Sequence, residues 1–64
     1  MLTDKVVRLT RFQNLGYFRW GNDWSLAMRD RPGVWVPIGR WYRTKAELMG
    51  DLAHQAKFRG FKEA

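Results

Sequence analysis

The chain has no cysteine, one histidine, one serine, two prolines and only six acidic residues against twelve basic ones. Without cysteine there can be no disulfide, no zinc–thiolate site and no thiol chemistry, and thiol usage says nothing about the redox compartment. The single serine, Ser25, and single histidine, His54, leave little for nucleophilic catalysis. A Ser25–His54–Asp51 arrangement would need three separate elements to converge, and no nucleophile elbow or glycine-rich oxyanion loop accompanies it. No apolar run approaches the roughly 20 residues of a membrane span. The start lacks the basic segment and apolar core, roughly 7–15 residues long, of a signal peptide, so a cytoplasmic location is expected.

Other chemical motifs are also missing. Gly16 and Gly21 are not followed by the Lys-Ser/Thr of a phosphate-binding loop. Arg59-Gly60-Phe61 opens like an RNA-recognition-motif signature, but Lys62-Glu63-Ala64 does not continue it. Glu47, Asp51 and His54 stand at helical spacings that could hold a metal, yet no fourth ligand is evident and a helix needs a polar side. No metal or cofactor is expected. A chain of 64 residues has little room for both a core and a walled catalytic pocket, so an enzyme is not expected.

What the chain does have is aromatic residues and arginine. Four tryptophans, two tyrosines and four phenylalanines must carry much of a core poor in leucine and isoleucine. The net charge is +6, and all of that excess falls within residues 5–43, where eight cations face Asp23 and Asp30. Seven of the eight are arginine, whose planar five-donor fork fits phosphate or a guanine edge and stacks on flat rings. Eight cations against two anions in one layer repel unless a partner neutralises them. An anionic partner is therefore expected, nucleic acid before an acidic protein surface.

Alternation and turn signals give the order of elements. Strands are expected at about 5–12, 16–20, 24–30 and 34–43, with a helix over about 44–57, all in one domain of residues 1–64. Met1 to Asp4 are expected to be frayed. Turns fall at Gln13-Asn14-Leu15-Gly16, Gly21-Asn22-Asp23 and Arg31-Pro32-Gly33-Val34, the last suited to Pro then Gly at its centre. Pro37 lacks a donor, which puts its strand at the sheet edge. Thr44-Lys45-Ala46-Glu47 has the form of a capping box. Leu48, Leu52 and Ala56, with Met49 and Ala53, form the helix's apolar face, and Gly60-Phe61 reads as a left-handed cap.

One amphipathic helix can cover one sheet face. The expected fold is thus a two-layer α+β sandwich, β-β-β-β-α or β-β-β-α, with an antiparallel sheet whose second face is open. Parity places Phe18, Trp20, Trp24, Leu26, Met28, Val34, Val36 and Ile38 toward the helix, and Tyr17, Arg19, Ala27, Arg29 and Trp35 outward. An open basic and aromatic sheet can enter the major groove of duplex DNA, or stack unpaired bases. Trp and Arg also dominate protein-binding hot spots, so a module that docks on an acidic protein is the alternative.

The run Trp35-Val36-Pro37-Ile38-Gly39-Arg40-Trp41-Tyr42-Arg43-Thr44-Lys45-Ala46-Glu47-Leu48 resembles the arm-type N-terminal DNA-binding domains of phage and transposon integrases. The matching positions are Gly39, Arg40, Tyr42, Thr44, Lys45 and Glu47, and the likeness covers residues 24–56. It implies a three-stranded sheet lying in the major groove, its other face buried by the helix. The chain departs from that pattern in a strand-like run before residue 16, in Pro37 and in having no recombinase domain after it. A small DNA-binding accessory or regulatory protein of a phage or mobile element is therefore expected. Its contact residues would be Arg8, Tyr17, Arg19, Arg29, Arg31, Trp35, Arg40 and Arg43, with single-stranded nucleic acid as a further possible partner.

Overall fold

The computed structural model describes residues 2–64. It holds strands β1 (Arg8–Leu9), β2 (Leu15–Trp20), β3 (Asp23–Arg31) and β4 (Val34–Tyr42), then helix α1 (Lys45–Arg59). The strands form one antiparallel sheet in chain order, β1-β2-β3-β4. This is the expected β-β-β-β-α architecture, with β4 and its Pro37 at an edge. The helix starts where the capping box predicts. Thr44 is the N-cap, and the Glu47 amide donates to its hydroxyl at 3.1 Å. At the other end the Gly60 and Phe61 amides donate to the Lys57 and Ala56 carbonyls. Gly60 takes a φ of 82° that this cap requires and a side chain would resist. The helix runs two residues past the expected end, leaving Phe58 on its solvent side.

Loop length sets which side chains share a face. The β2–β3 loop has two residues, Gly21 and Asn22, and Gly21 adopts a φ of 63° at the position a type II′ turn reserves for glycine. Trp20 therefore pairs with Asp23, Arg19 with Trp24, Tyr17 with Leu26 and Phe18 with Ser25. A three-residue loop, as expected from the sequence, would have shifted β2 by one residue. The expected faces of β2 are accordingly reversed. Tyr17 and Arg19 lie on the helix side, while Phe18 and Trp20 lie on the opposite side. In β3 and β4 the expected parity holds for Trp24, Leu26, Ile38, Ala27 and Trp35. Two extra residues in β4, Gly39 and Arg40, bulge between the Leu26–Ile38 and Ser25–Trp41 pairs. Because the insertion is even, Tyr42 stays on the helix side.

The core beneath the helix joins Leu15, Tyr17, Leu26 and Tyr42 to Leu48, Leu52 and Ala56, with Phe12 and Phe61 closing one end. Each leucine buried there contributes about 1.5–3 kcal/mol. Met49 and Ala53 are exposed, and Asp51 and Gln55 flank the buried stripe instead. The C-terminal residues are held as well: the Gln13 amide donates to the Lys62 carbonyl, and the Ala64 amide to the Arg11 carbonyl, both at 2.7 Å.

The opposite sheet face is not open. The chain's beginning crosses it as a strap from the β4 edge to the β1 edge. The Trp35 amide donates to the Leu2 carbonyl at 3.1 Å, and the Trp35 indole Nε1 donates to the Asp4 carboxylate at 2.6 Å. Residues 4–6 then turn, with the Val6 and Val7 amides both donating to the Thr3 carbonyl. Val7 packs beside Phe18, Ala27 and Trp35 in a second buried cluster that Leu2 borders. This corrects two expectations. Residues 2–4 are tied down, not frayed, and the strand expected over 5–12 shortens to two residues because 2–7 serve as the strap.

Gly16 lets the strap come this close. A β-carbon there would stand 2.5 Å from Val7 Cγ1, 2.6 Å from the Arg8 carbonyl oxygen and 3.3 Å from the Trp35 ring. The carbonyl belongs to the β1–β2 ladder and cannot swing aside. Gly16→Ala is expected to lower stability by about 1–3 kcal/mol, the usual cost of overpacking. Chemical denaturation measures it, and a variant as stable as the wild type would mean the strap is not seated as described.

Candidate nucleic-acid interface

Among the described residues only two ion pairs form, Arg11 with Glu63 and Arg31 with Asp30, both exposed. The remaining cations have no carboxylate within salt-bridge distance. Several instead lie on aromatic faces. Arg19 stands 5.8 Å from the Trp24 ring centroid, Arg29 4.8 Å from Trp35, Arg40 4.6 Å from Tyr42, and Lys45 5.4 Å from Tyr17. Each such contact contributes on the order of 0.5–1 kcal/mol at an exposed site. An arginine resting over a ring can keep N–H donors directed to solvent.

These cations do not form one sheet-face patch. Arg8, Arg19 and Arg40 lie on the helix side, Arg29 lies over Trp35 on the strap side, and Arg31 is tied to Asp30 at a hairpin end. Arg43 is exposed between β4 and the helix. Two of the expected contact residues are removed from the surface: Tyr17 is 7% exposed under the helix and Trp35 is 2% exposed under the strap.

The structure does bring together a smaller set. Arg8 pairs with Tyr17 across β1–β2, and Arg19 pairs with Trp24 across β2–β3, so both arginines rise on the helix side at the outer end of the sheet. Tyr17 and Trp24 touch, with ring centroids 6.1 Å apart. Lys45, in the first turn of the helix, stands over the same tyrosine. Between these groups lies a shallow cleft of about 280 Å³ lined by Val6, Arg8, Tyr17, Phe18, Arg19 and Trp24. No carboxylate lines it. The cleft exists because β1 is short. Continued pairing would set Val7 against Phe18 and then Val6 against Arg19, but Val6 lies in the turn of residues 4–6 at the side of the cleft. The Arg19 side chain is steadied by its Nε, which donates to the Gly21 carbonyl at 2.8 Å. A floor of aromatic rings, two cations in the lining, a third over Tyr17 and no anion in the lining can hold a phosphate group or a flat ring beside one.

Lys45 was not among the expected contacts, because its place in the capping box gave it a structural reading. Trp20 and Trp41 were not either. They are 69% and 50% exposed, and their common face follows from the two-residue Gly21-Asn22 loop. The other polar candidates are dispersed. Ser25 is buried on the strap side of the sheet, away from the helix carrying His54 and Asp51, and its hydroxyl donates to the Leu26 carbonyl. His54 stacks on Phe58. Among the described residues no three His, Asp or Glu side chains meet to hold a metal ion, and no helix is long and apolar enough to cross a membrane. Compared with known protein families, with curated proteins and with solved structures, the chain matches none.

On the β4 side, Asp51 is held by two donors. The Tyr42 hydroxyl donates to its Oδ2 at 2.5 Å, and Gln55 Nε2 donates to the same oxygen at 3.2 Å. The tyrosine's bond, more than any other influence, holds the Asp51 carboxyl below its usual range. Burial, and then this same bond, pushes the Tyr42 hydroxyl up. A lowered carboxyl contributes stability above its unfolded value, about 3.9, that is lost as pH falls through the folded one. A raised phenol contributes stability below about 10 that is lost as pH rises. Tyr42→Phe is thus expected to unfold at lower denaturant concentration than the wild type at neutral pH. The gap should narrow below about pH 4 as Asp51 protonates. Paired urea titrations across pH measure this, and a gap independent of pH would show that the bond is not to a carboxylate.

Proposed function

We propose that this protein binds nucleic acid, gripping the phosphate backbone at the cleft lined by Arg8 and Arg19, with Lys45 beside it over the Tyr17 ring. The observation that carries this reading is the convergence of these cations on a Tyr17–Trp24 floor with no carboxylate in the cleft lining. The +6 charge supports it in turn, since most cations lack an internal partner. Phosphate contacts of this kind supply affinity and register, whereas sequence preference would need groups that reach base edges.

The likeness of the strand-to-helix junction to integrase arm-type domains supports a DNA partner and an accessory role in a mobile element. It does not support docking of the sheet into a groove, because residues 2–7 lie across the face that would enter. Arg40 and Arg43, at the end of β4, would add backbone contacts beyond the cleft on the β4 side. Arg29 and Arg31 stand apart from it.

Fluorescence anisotropy with short labelled duplex and single strands tests the reading. The logarithm of the affinity should fall linearly with the logarithm of salt, by about 0.9 per phosphate contact for duplex and about 0.7 for single strands. Arg8→Glu with Arg19→Glu is expected to weaken binding at least tenfold at roughly 50 mM salt and to flatten the slope by about two contacts. Absence of binding at low salt to either form would end the proposal.

A further inference from the structure

We infer that the partner carries unpaired bases, and that Trp20 and Trp41 are the surfaces on which those bases stack. This rests on the nucleic-acid reading above and narrows it to single-stranded segments. Trp20 and Trp41 keep 69% and 50% of their surface exposed, while Trp35 is sealed at 2%. Register places both exposed indoles on the strap side of the sheet. Phe18, Ser25 and Trp41 form one cross-strand row, and Trp20 lies two residues beyond Phe18 along β2.

Phe18, itself buried, lies between this surface and the cationic cleft. It lines the cleft, and it also packs edge-on against Trp41 with ring centroids 5.6 Å apart at 79°. Packing on Phe18 steadies the Trp41 ring, so less side-chain freedom is lost when a base lies on it. A strand whose phosphates sit between Arg8 and Arg19 would therefore carry its bases around the sheet end toward the indoles. Arg19 precedes Trp20, Arg43 follows Trp41 by two residues, and both arginines are exposed. Asp23, the cross-strand partner of Trp20, is the acidic group beside them.

The charge selects among occupants. A second copy of this chain would bring another +6 against the same end of the sheet, whereas a single strand supplies both negative charge and flat rings. A duplex supplies the charge but keeps its bases stacked inside, leaving the indoles uncovered. Arginine around aromatic platforms, tolerant of sequence, is the chemistry by which single strands are held.

The test combines intrinsic tryptophan fluorescence with anisotropy, using a short oligothymidylate and a duplex of equal length. Trp35 is inaccessible to an added strand and Trp24, in the cleft, can respond to either partner, so quenching by the single strand beyond that by the duplex reports the exposed indoles. The wild type should be quenched by the single strand and much less by the duplex. Trp20→Ala should bind the single strand about tenfold more weakly, with duplex affinity unchanged. Trp41→Ala should act likewise, and Trp20→Ala decides if the Trp41 variant unfolds. Arg19→Glu should weaken both partners. If Trp20→Ala binds the single strand as well as the wild type, or weakens both partners equally, the inference is overturned. A change in sedimentation with unchanged nucleic-acid affinity would assign Trp20 to a protein interface and overturn it too. Single-strand binding that depends on Arg8 and Arg19 but not on Trp20 overturns this inference alone, while no binding to either partner removes the underlying reading as well.

Discussion

The fold depends on how Trp35 is enclosed. Its amide and its indole nitrogen are engaged by Leu2 and Asp4, its ring faces the strap that Val7 anchors, and Gly16 leaves the space in which they meet. A two-layer sandwich with one helix leaves a sheet face wet, and a small domain buries too little if that face stays open. Here residues 2–7 take the place of a second layer. Trp35 gives them an apolar ring to cover and an N–H that is satisfied by Asp4. Truncating that ring would open a cavity and free the strap at once.

The same closure limits where a partner can sit. With residues 2–7 across one face and the helix on the other, neither broad surface of the sheet is free along its whole length. What remains is the sheet's outer end, where β1 stops and β2 and β3 continue to their hairpin. Arg8 and Arg19 meet there from β1 and β2, Lys45 stands over Tyr17 beside them, and the buried Phe18 ring backs Trp41 from within. Cations whose positions are set by aromatic rings lose less freedom on meeting an anion than free-swinging ones, which favours binding without any new internal ion pair. The opposite flank has a different character. Tyr42, Asp51 and Gln55 form a hydrogen-bonded bracket between β4 and the helix, and Arg40 covers the tyrosine ring.

Much of the architecture was legible in the residues themselves. The change of period at Thr44, the Thr44–Glu47 spacing and the Gly60-Phe61 pair mark the helix and both its caps, because capping is a local contest among a few backbone groups. Pro37 marks the edge strand because a missing donor cannot be placed inside a sheet. Arg31-Pro32-Gly33-Val34 marks the last hairpin through local φ preferences. The site was legible only in part. Arg8 and Arg19 were among the expected contacts, but so were Tyr17 and Trp35, which are core. Tyr17 and Phe18 are both aromatic, so composition could not say which faces the helix.

By itself the sequence determined the features that local backbone physics controls: three of the extended segments, the last hairpin turn, one capped helix, and a net charge of +6. Tertiary structure alone decided which side chains of β2 face inward, that residues 2–7 cross the sheet, and that Lys45 joins Arg8 and Arg19. The physical reason is that these depend on register and on contacts between distant segments. A loop one residue shorter reverses a strand's faces, and a strap forms only because Trp35 and Gly16, nineteen residues apart, stand side by side once the sheet is made.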